Sequence, residues 1–324
     1  MRVLIVTNMY PTKDTPYYGI FVSEQERAIK KYFPNVEFGI YNIRGDVNKS
    51  EYVLSLNRVY NEIEKGQYDL VHIHYGLSGL FLLNPFRKCK VPVVITLHGG
   101  DIQIEQGKKI QVFLTKRILR HVDFAITLND RMDSITKHYI NNTAIIPCST
   151  DTDLFSPIGE RPSSAGKNKV DIVFPSSHSR TVKNYPLFCE VVKVMKNKYG
   201  IECIETELDK MSREQVCDLY RRADAMLMTS ISEGSPQVVK EAMSCNLPVI
   251  TTKVGDVDIL LDGVAGSGWV YPHDATLLAD MLYNSLQGNI KGKTPRERIF
   301  ELGLDDKDVA TKIYAIYKTL LNER

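Results

Sequence analysis

The chain has 324 residues, about twice the usual domain size, so two domains are expected rather than one. Its composition, 43% hydrophobic and 25% charged with 20 Gly and 14 Pro, excludes a disordered, collagen-like or coiled-coil chain. Lys plus Arg total 41 and Asp plus Glu 39, a formal charge of +2 that offers no field to hold nucleic acid.

The chain opens Met1-Arg2-Val3-Leu4-Ile5-Val6-Thr7 and turns polar at Asn8. That apolar run is shorter than the roughly 7–15 residues of a signal-peptide core. No stretch approaches the ~20 apolar residues of a membrane span. Six cysteines lie far apart with no C-x-x-C pair, which reads as reduced thiols of a cytoplasmic protein. Short β-branched runs then recur at Val3–Thr7, Val36–Tyr41, Leu70–His74, Val91–Leu97, Phe124–Leu128 and Ala144–Ile146. Amphipathic stretches at Phe21–Tyr32, Tyr52–Lys65 and Arg131–Tyr139 separate some of them, the alternation of βαβ units on a parallel sheet. A Pro/Gly/Ser/Lys-rich stretch over 157–169 reads as a linker.

The alternation then restarts with strands at Val170–Phe174, Ile201–Ile204, Ala225–Met228, Val249–Thr252 and Trp269–Tyr271. Helical segments fall at Pro186–Tyr199, Arg213–Arg222, Pro236–Ser244 and Ala275–Gln287. A final amphipathic stretch, Asp306–Leu321, carries Val309, Ile313, Ile316, Tyr317 and Leu320. The expected fold is α/β: two Rossmann-like, doubly wound domains over 1–160 and 161–305, facing an interdomain cleft. The helix over 306–324 would pack back on the first domain. Such sheets bind ligands outside the carboxyl ends of their strands.

The richest strand-end loop runs Thr229-Ser-Ile-Ser-Glu-Gly-Ser-Pro-Gln-Val-Val-Lys-Glu241, with the next helix starting at Pro236. Backbone N–H groups around Ser235, Gln237 and Val238, with the positive helix end, make a phosphate site. Glu233 and Glu241 flank it; like charges repel phosphate, so these carboxylates suit sugar and ribose hydroxyls instead. The loop Phe174–Asn184 closes with Arg180 and Lys183, two cations able to neutralise a diphosphate. In the first half, Leu97-His-Gly-Gly-Asp101 brings His98 and Asp101 after a strand, and Gly19 opens a helix as another phosphate-side turn.

These residues resemble glycosyltransferase family 4, retaining enzymes of the GT-B fold. Gly19-Ile-Phe-Val, Asp69–His74, Thr96–Asp101, Ile146–Pro157 and the E-x7-E from Glu233 to Glu241 match its motifs in order. The nearest flavour is bacterial surface-polysaccharide or teichuronic-acid assembly. The resemblance implies that Glu241 binds the nucleotide ribose, Glu233 the donor sugar hydroxyls and Lys183 the diphosphate, with His98 beside the reacting sugar. The family's Gly-Arg is replaced here by Ser176-Ser177, so the second cation falls to Arg180. It also implies a nucleoside-diphosphate sugar donor, UDP- or GDP-linked, no cofactor, and a saccharide or lipid-linked acceptor. Retention would need no protein nucleophile, the leaving diphosphate assisting the incoming hydroxyl.

Several lookalikes are set aside. His72 and His74 share a strand face but lack a third metal ligand, and Asp151-Thr-Asp153 suits a turn. Asp256-Val-Asp258 imitates the same divalent-ion motif, and no metal is expected there either. Gly263–Gly268 fails the dinucleotide spacing. Residues 108–121 hold five Lys or Arg and no acid, a basic amphipathic helix able to lie on anionic lipid at the inner membrane face or simply to be solvated. A nucleotide-sugar epimerase of the same fold and a non-enzymatic two-domain sugar-binding protein are the alternatives.

Overall fold

The computed structural model describes residues 1–104 and 108–323. The chain divides into two compact units, Met1–Ser149 with Asp306–Arg324, and Thr150–Asp305. In the first, β1 (Arg2–Thr7), β2 (Glu37–Asn42), β3 (Leu70–His74), β4 (Val93–Thr96), β5 (Phe124–Thr127) and β6 (Thr143–Ile145) form one parallel sheet in the order β2-β1-β3-β4-β5-β6. Helices α1 (Ile20–Tyr32), α2 (Glu51–Gly66), α3 (Lys109–Ile118) and α4 (Asp130–Thr136) cross between strands. β3, β4 and most of β1 and β5 are buried, as strands covered on both faces must be, which is why they read as unbroken apolar runs.

The second unit has β7 (Lys169–Phe174), α5 (Tyr185–Tyr199), β8 (Glu202–Glu207), α6 (Arg213–Arg222), β9 (Ala225–Met228), α7 (Gln237–Ser244), β10 (Val249–Thr252), α8 (Val257–Leu260), β11 (Gly268–Val270), α9 (Ala275–Leu286) and α10 (Pro295–Glu301). Its parallel sheet runs β11-β10-β9-β7-β8. The boundary falls after Ser149 and not at 160, because Phe155 is fully buried in the second unit's core. Arg296 fastens the same segment, donating to the carbonyls of Thr152 and Phe155.

The last helix, α11 (Asp306–Asn322), belongs to the first unit and packs along α1. Its Val309, Ile313 and Tyr317 are buried with Val3, Ile29 and Leu70. Each such apolar side chain removed from water stabilises the unit by about 1.5–3 kcal/mol. Arg324, the last residue of that expected segment, lies outside the described residues. Two short helices, α8 and α10, and a 3-10 segment at Gly76–Leu83 had no counterpart among the expected elements. Pro236 is the extended residue before α7, not its first helical residue.

Candidate active site

Strand order reverses between β1 and β3 in the first sheet and between β7 and β9 in the second. At such a switch point the flanking loops leave in opposite directions and open a crevice at the carboxyl edge. The second unit's crevice holds the loops after β7 and β9, which carry Lys183 and Glu233. Their side chains meet, Lys183 Nζ donating to Glu233 Oε1 at 2.5 Å, with both groups largely buried. Ser230 Oγ donates to the same oxygen at 2.8 Å.

The backbone locks the two loops together. Ile231 N donates to Val182 O at 2.8 Å, and Thr229 Oγ1 donates to the Lys183 and Asn184 carbonyls. Thr252 Oγ1, at the end of β10, donates to Ser230 O at 2.6 Å. Gly255 then passes so close that a Cβ there would lie 2.6 Å from Gly234 O, and its φ of +58° is one that side-chain-bearing residues avoid. Arg180 stays exposed and forms no ion pair among the described residues, whereas Lys183 is buried and paired.

Glu241, one turn into α7, is 3% exposed, and Arg213 at the start of α6 donates to its Oε1 at 2.8 Å. Burial raises the Glu241 carboxyl; the Arg213 guanidinium, then Lys240 and the Gln237 amide, pull it back. Arg213 in turn lies 4.5 Å over the Phe155 ring. Lys240 is fully buried, with Nζ 3.3 Å from Ser235 Oγ, and its charge lowers the buried Asp256 carboxyl that desolvation raises. Ser235, Gln237 and Val238 are half-buried around the start of α7. The second crevice is therefore lined by ion pairs.

The first unit's crevice is different in kind. Gly19 caps α1 with φ +69°, and a Cβ there would lie 2.3 Å from the Met9 backbone, so only glycine fits. His74, at the end of β3, has Nδ1 3.3 Å from His98 Nε2 and Nε2 3.4 Å from the Gln25 amide nitrogen. Burial holds all three imidazoles neutral, pushing His72 and His98 down to about 3 and His74 well below its ordinary value. An amide nitrogen only donates, so His74 Nε2 accepts and its proton sits on Nδ1. That proton points to His98 Nε2, so the His98 proton sits on Nδ1, which makes no hydrogen bond among the described residues.

Asp101 fixes the same loop. Its carboxylate accepts from the His98 and Gly76 backbone N–H groups at 2.9–3.1 Å, and burial raises it to about 6 against these bonds. Phe21 packs on the His98 ring at 4.8 Å. His72 is occupied on both sides, by Tyr317 Oη at 2.5 Å and Thr96 Oγ1 at 2.8 Å, so neither nitrogen is open to a metal. Asp151 accepts from the Asp153 and Leu154 N–H groups, a turn role. Asp258 pairs with Lys253 at 3.1 Å.

Of the residues singled out in the sequence, the structure brings Lys183 to Glu233 in the second unit, with Glu241 on α7, and places His98 and Gly19 in the first unit. Arg213, Gln25 and Gly255, which contact Glu241, His74 and Gly234, were not singled out. The Gly255-Asp256 pair at the end of a strand was a usable signal; nothing local ties Arg213 to Glu241, which lies 28 positions away.

The comparisons with known proteins bear on both units. The family described as Glycosyltransferase Family 4 matches residues 5–154, and the one described as Glycosyl transferases group 1 matches residues 205–287. The first match falls almost wholly in the first unit and the second wholly in the second unit, and both families are described as glycosyltransferases. A D-inositol 3-phosphate glycosyltransferase of Corynebacterium jeikeium is 24% identical over 269 residues, which cover 66% of this chain and 63% of that relative. The sucrose-phosphate synthase of Thermosynechococcus elongatus superposes with a TM-score of 0.79 at 16% identity, covering 100% of this chain and 99% of that one. The Anabaena protein HepE, solved with UDP and glucose, superposes at 0.68 with 13% identity over 98% of this chain and 99% of its own. The fold is GT-B, as in these neighbours.

Proposed function

We propose that the protein is a retaining glycosyltransferase that moves a sugar from a UDP- or GDP-linked donor to a hydroxyl of a saccharide or lipid-linked acceptor. The observation that carries this reading is the Lys183–Glu233 pair at the second sheet's switch point, beside the start of α7. A cation and a carboxylate side by side match a diphosphate and the hydroxyl-bearing sugar attached to it. Lys183 offsets the charge that builds on the leaving diphosphate, helped by the N–H groups at Ser235–Val238. Glu233 accepts from donor-sugar hydroxyls once the diphosphate competes for Lys183.

Glu241, presented by α7, takes the ribose, and Arg180 swings to the diphosphate from its exposed loop. The neutral His98 donates to the reacting sugar, and Gly19 gives the phosphate side a close backbone approach. Retention follows when the leaving diphosphate takes the proton of the incoming hydroxyl on the same face. Because protein cations supply the charge, no metal is required. The setting is cytoplasmic polysaccharide or glycoconjugate synthesis.

The test is a thermal-shift screen of nucleoside diphosphates and nucleotide sugars, with Lys183→Ala as the control. A nucleotide that stabilises the wild type but not the variant supports the reading; no nucleotide shift at all overturns it. A donor hit is then incubated with EDTA, with and without acceptors. An α-linked product from an α-linked donor is expected, and an epimerised free donor would favour an epimerase instead.

A further inference from the structure

One cavity of the first unit lies away from the crevice that holds His98. It encloses about 760 Å³ at the amino ends of β4 and β5, the opposite edge of the sheet, between α2, the 3-10 segment and the end of α3. Lys88, Arg117, Arg120 and His121 line it, all exposed, and none of them is ion-paired among the described residues. Arg87 also lines it but is held by Glu64 and Asn61. The acid in the wall, Asp123, accepts from the Val93 backbone N–H.

A second feature adjoins this cavity. One face of α3 is buried through Val112, Thr115 and Ile118, closely enough that a Cβ on Gly76 or Gly79 would strike Thr115 or Ile118. The opposite face presents Ile110, Phe113 and Arg117, spaced by three and four residues and therefore in one stripe, and Arg120 follows in the 3-10 turn after α3. Ile110 is 77% exposed and Phe113 55%, and the Arg117 guanidinium lies 4.9 Å over the Phe113 ring. Phe86, between two cavity-lining residues, is 92% exposed. Large apolar side chains standing in water beside unpaired cations suit a surface with acyl chains beneath anionic headgroups.

We propose that this face docks on an acidic phospholipid bilayer, with the headgroup phosphate in the Lys88–Arg117–Arg120 cavity and Phe86, Phe113 and Ile110 in the acyl boundary. The charge complementarity is local, since the whole chain carries only +2. The docking face does not depend on the transferase reading, because it shares no residue with the crevices.

Sedimentation of the full chain with vesicles tests it. The chain should bind phosphatidylcholine vesicles containing phosphatidylglycerol, not phosphatidylcholine alone, and high salt should release it. Arg117→Ala with Arg120→Ala should weaken binding by about fivefold per cation removed. Phe113→Ser should weaken it without changing charge. All three side chains are exposed, and an unchanged melting temperature and nucleotide shift would show that the variants fold. Equal binding to neutral vesicles, binding to neither, or binding indifferent to the variants would overturn the proposal. So would saturable binding of inorganic phosphate or glycerol phosphate in the cavity without vesicle binding, which would make it a site for a soluble anion.

Discussion

The two crevices occupy equivalent places on similar sheets, yet one is built from neutral imidazoles and the other from ion pairs. In the first unit, burial strips His72, His74 and His98 of charge and leaves hydrogen bonds to orient them. In the second, burial is met by pairing: Lys183 lies against Glu233 and Arg213 against Glu241. A neutral donor can hold a sugar hydroxyl without attracting phosphate, whereas a diphosphate needs fixed cations. The division of labour in the proposed reaction follows from that difference in protonation.

Acid should separate the two units most strongly. Each buried histidine has a folded pKa below its unfolded value, so its stabilisation is present above pH ~6.5 and is lost as pH falls. At pH ~5 the loss is about 2 kcal/mol for an imidazole such as His72. Asp101, raised by burial to about 6, works the other way and returns about 1 kcal/mol over the same range. The first unit should therefore lose several kcal/mol between pH ~7 and pH ~5. In the second unit burial raises Glu241 and Asp256, so those groups gain stability as pH falls. The single tryptophan, Trp269, lies in the second unit and reports on it alone. The protection of β3 and β4 amides against hydrogen exchange, relative to their intrinsic rates at each pH, should fall on acidification before Trp269 fluorescence changes; simultaneous loss would contradict the contrast.

Removing one member of a buried pair is the next largest effect. Arg213→Ala strands the Glu241 carboxylate and should cost the second unit about 3–5 kcal/mol in denaturant unfolding followed by Trp269. Replacing both partners, as Arg213→Met with Glu241→Leu, should recover most of it. If the double variant is no better than the single one, the pair is not the source of the cost.

Lys183→Ala tests the charged crevice through rate. Loss of one cation aimed at developing charge costs about 2.7–4 kcal/mol, so kcat should fall by about 100- to 1000-fold. Arg180→Ala, on an exposed side chain with no fixed partner, should cost less. Equal losses from the two would show that Arg180 is already committed to the diphosphate.

The fold was legible wherever burial on both faces forced unbroken apolar runs: Leu70–His74, Ala225–Met228 and Val249–Thr252 lie where those runs stand. The 3-10 segment Gly76–Leu83 and helices α8 and α10 were not, because short helices lack enough turns to show a period. The end of the first unit was misplaced at 160 because the Pro/Gly-rich stretch announces a linker, whereas Phe155 had already joined the second core. Glu233 and Glu241 were visible through their spacing around a strand-to-helix turn. Arg213 was not, since only the fold brings α6 to α7. His72 and His74 were set aside as a metal pair for want of a third ligand, and nothing in their alternation announced that His74 neighbours His98.

The hydrogen-bond chain from Gln25 through His74 to His98 gives the smallest and most specific expectation. With both imidazoles neutral, the Gln25 amide fixes the His74 tautomer, and His74 fixes that of His98. Nitrogen-15 spectra should show His98 protonated on Nδ1. In His74→Phe the ring volume stays but the donor is lost, so His98 is free to place its proton on Nε2 and to turn its acceptor toward the sugar. kcat should fall by about tenfold, with KM for the nucleotide donor unchanged, because the proposed diphosphate site in the second unit is untouched. Gln25→Leu should have a milder effect, since His74 keeps its place between His72 and His98 and loses only the bias on its tautomer. A structural role alone predicts lower stability with an unaltered His98 tautomer. A positioning role predicts that the tautomer and kcat change together.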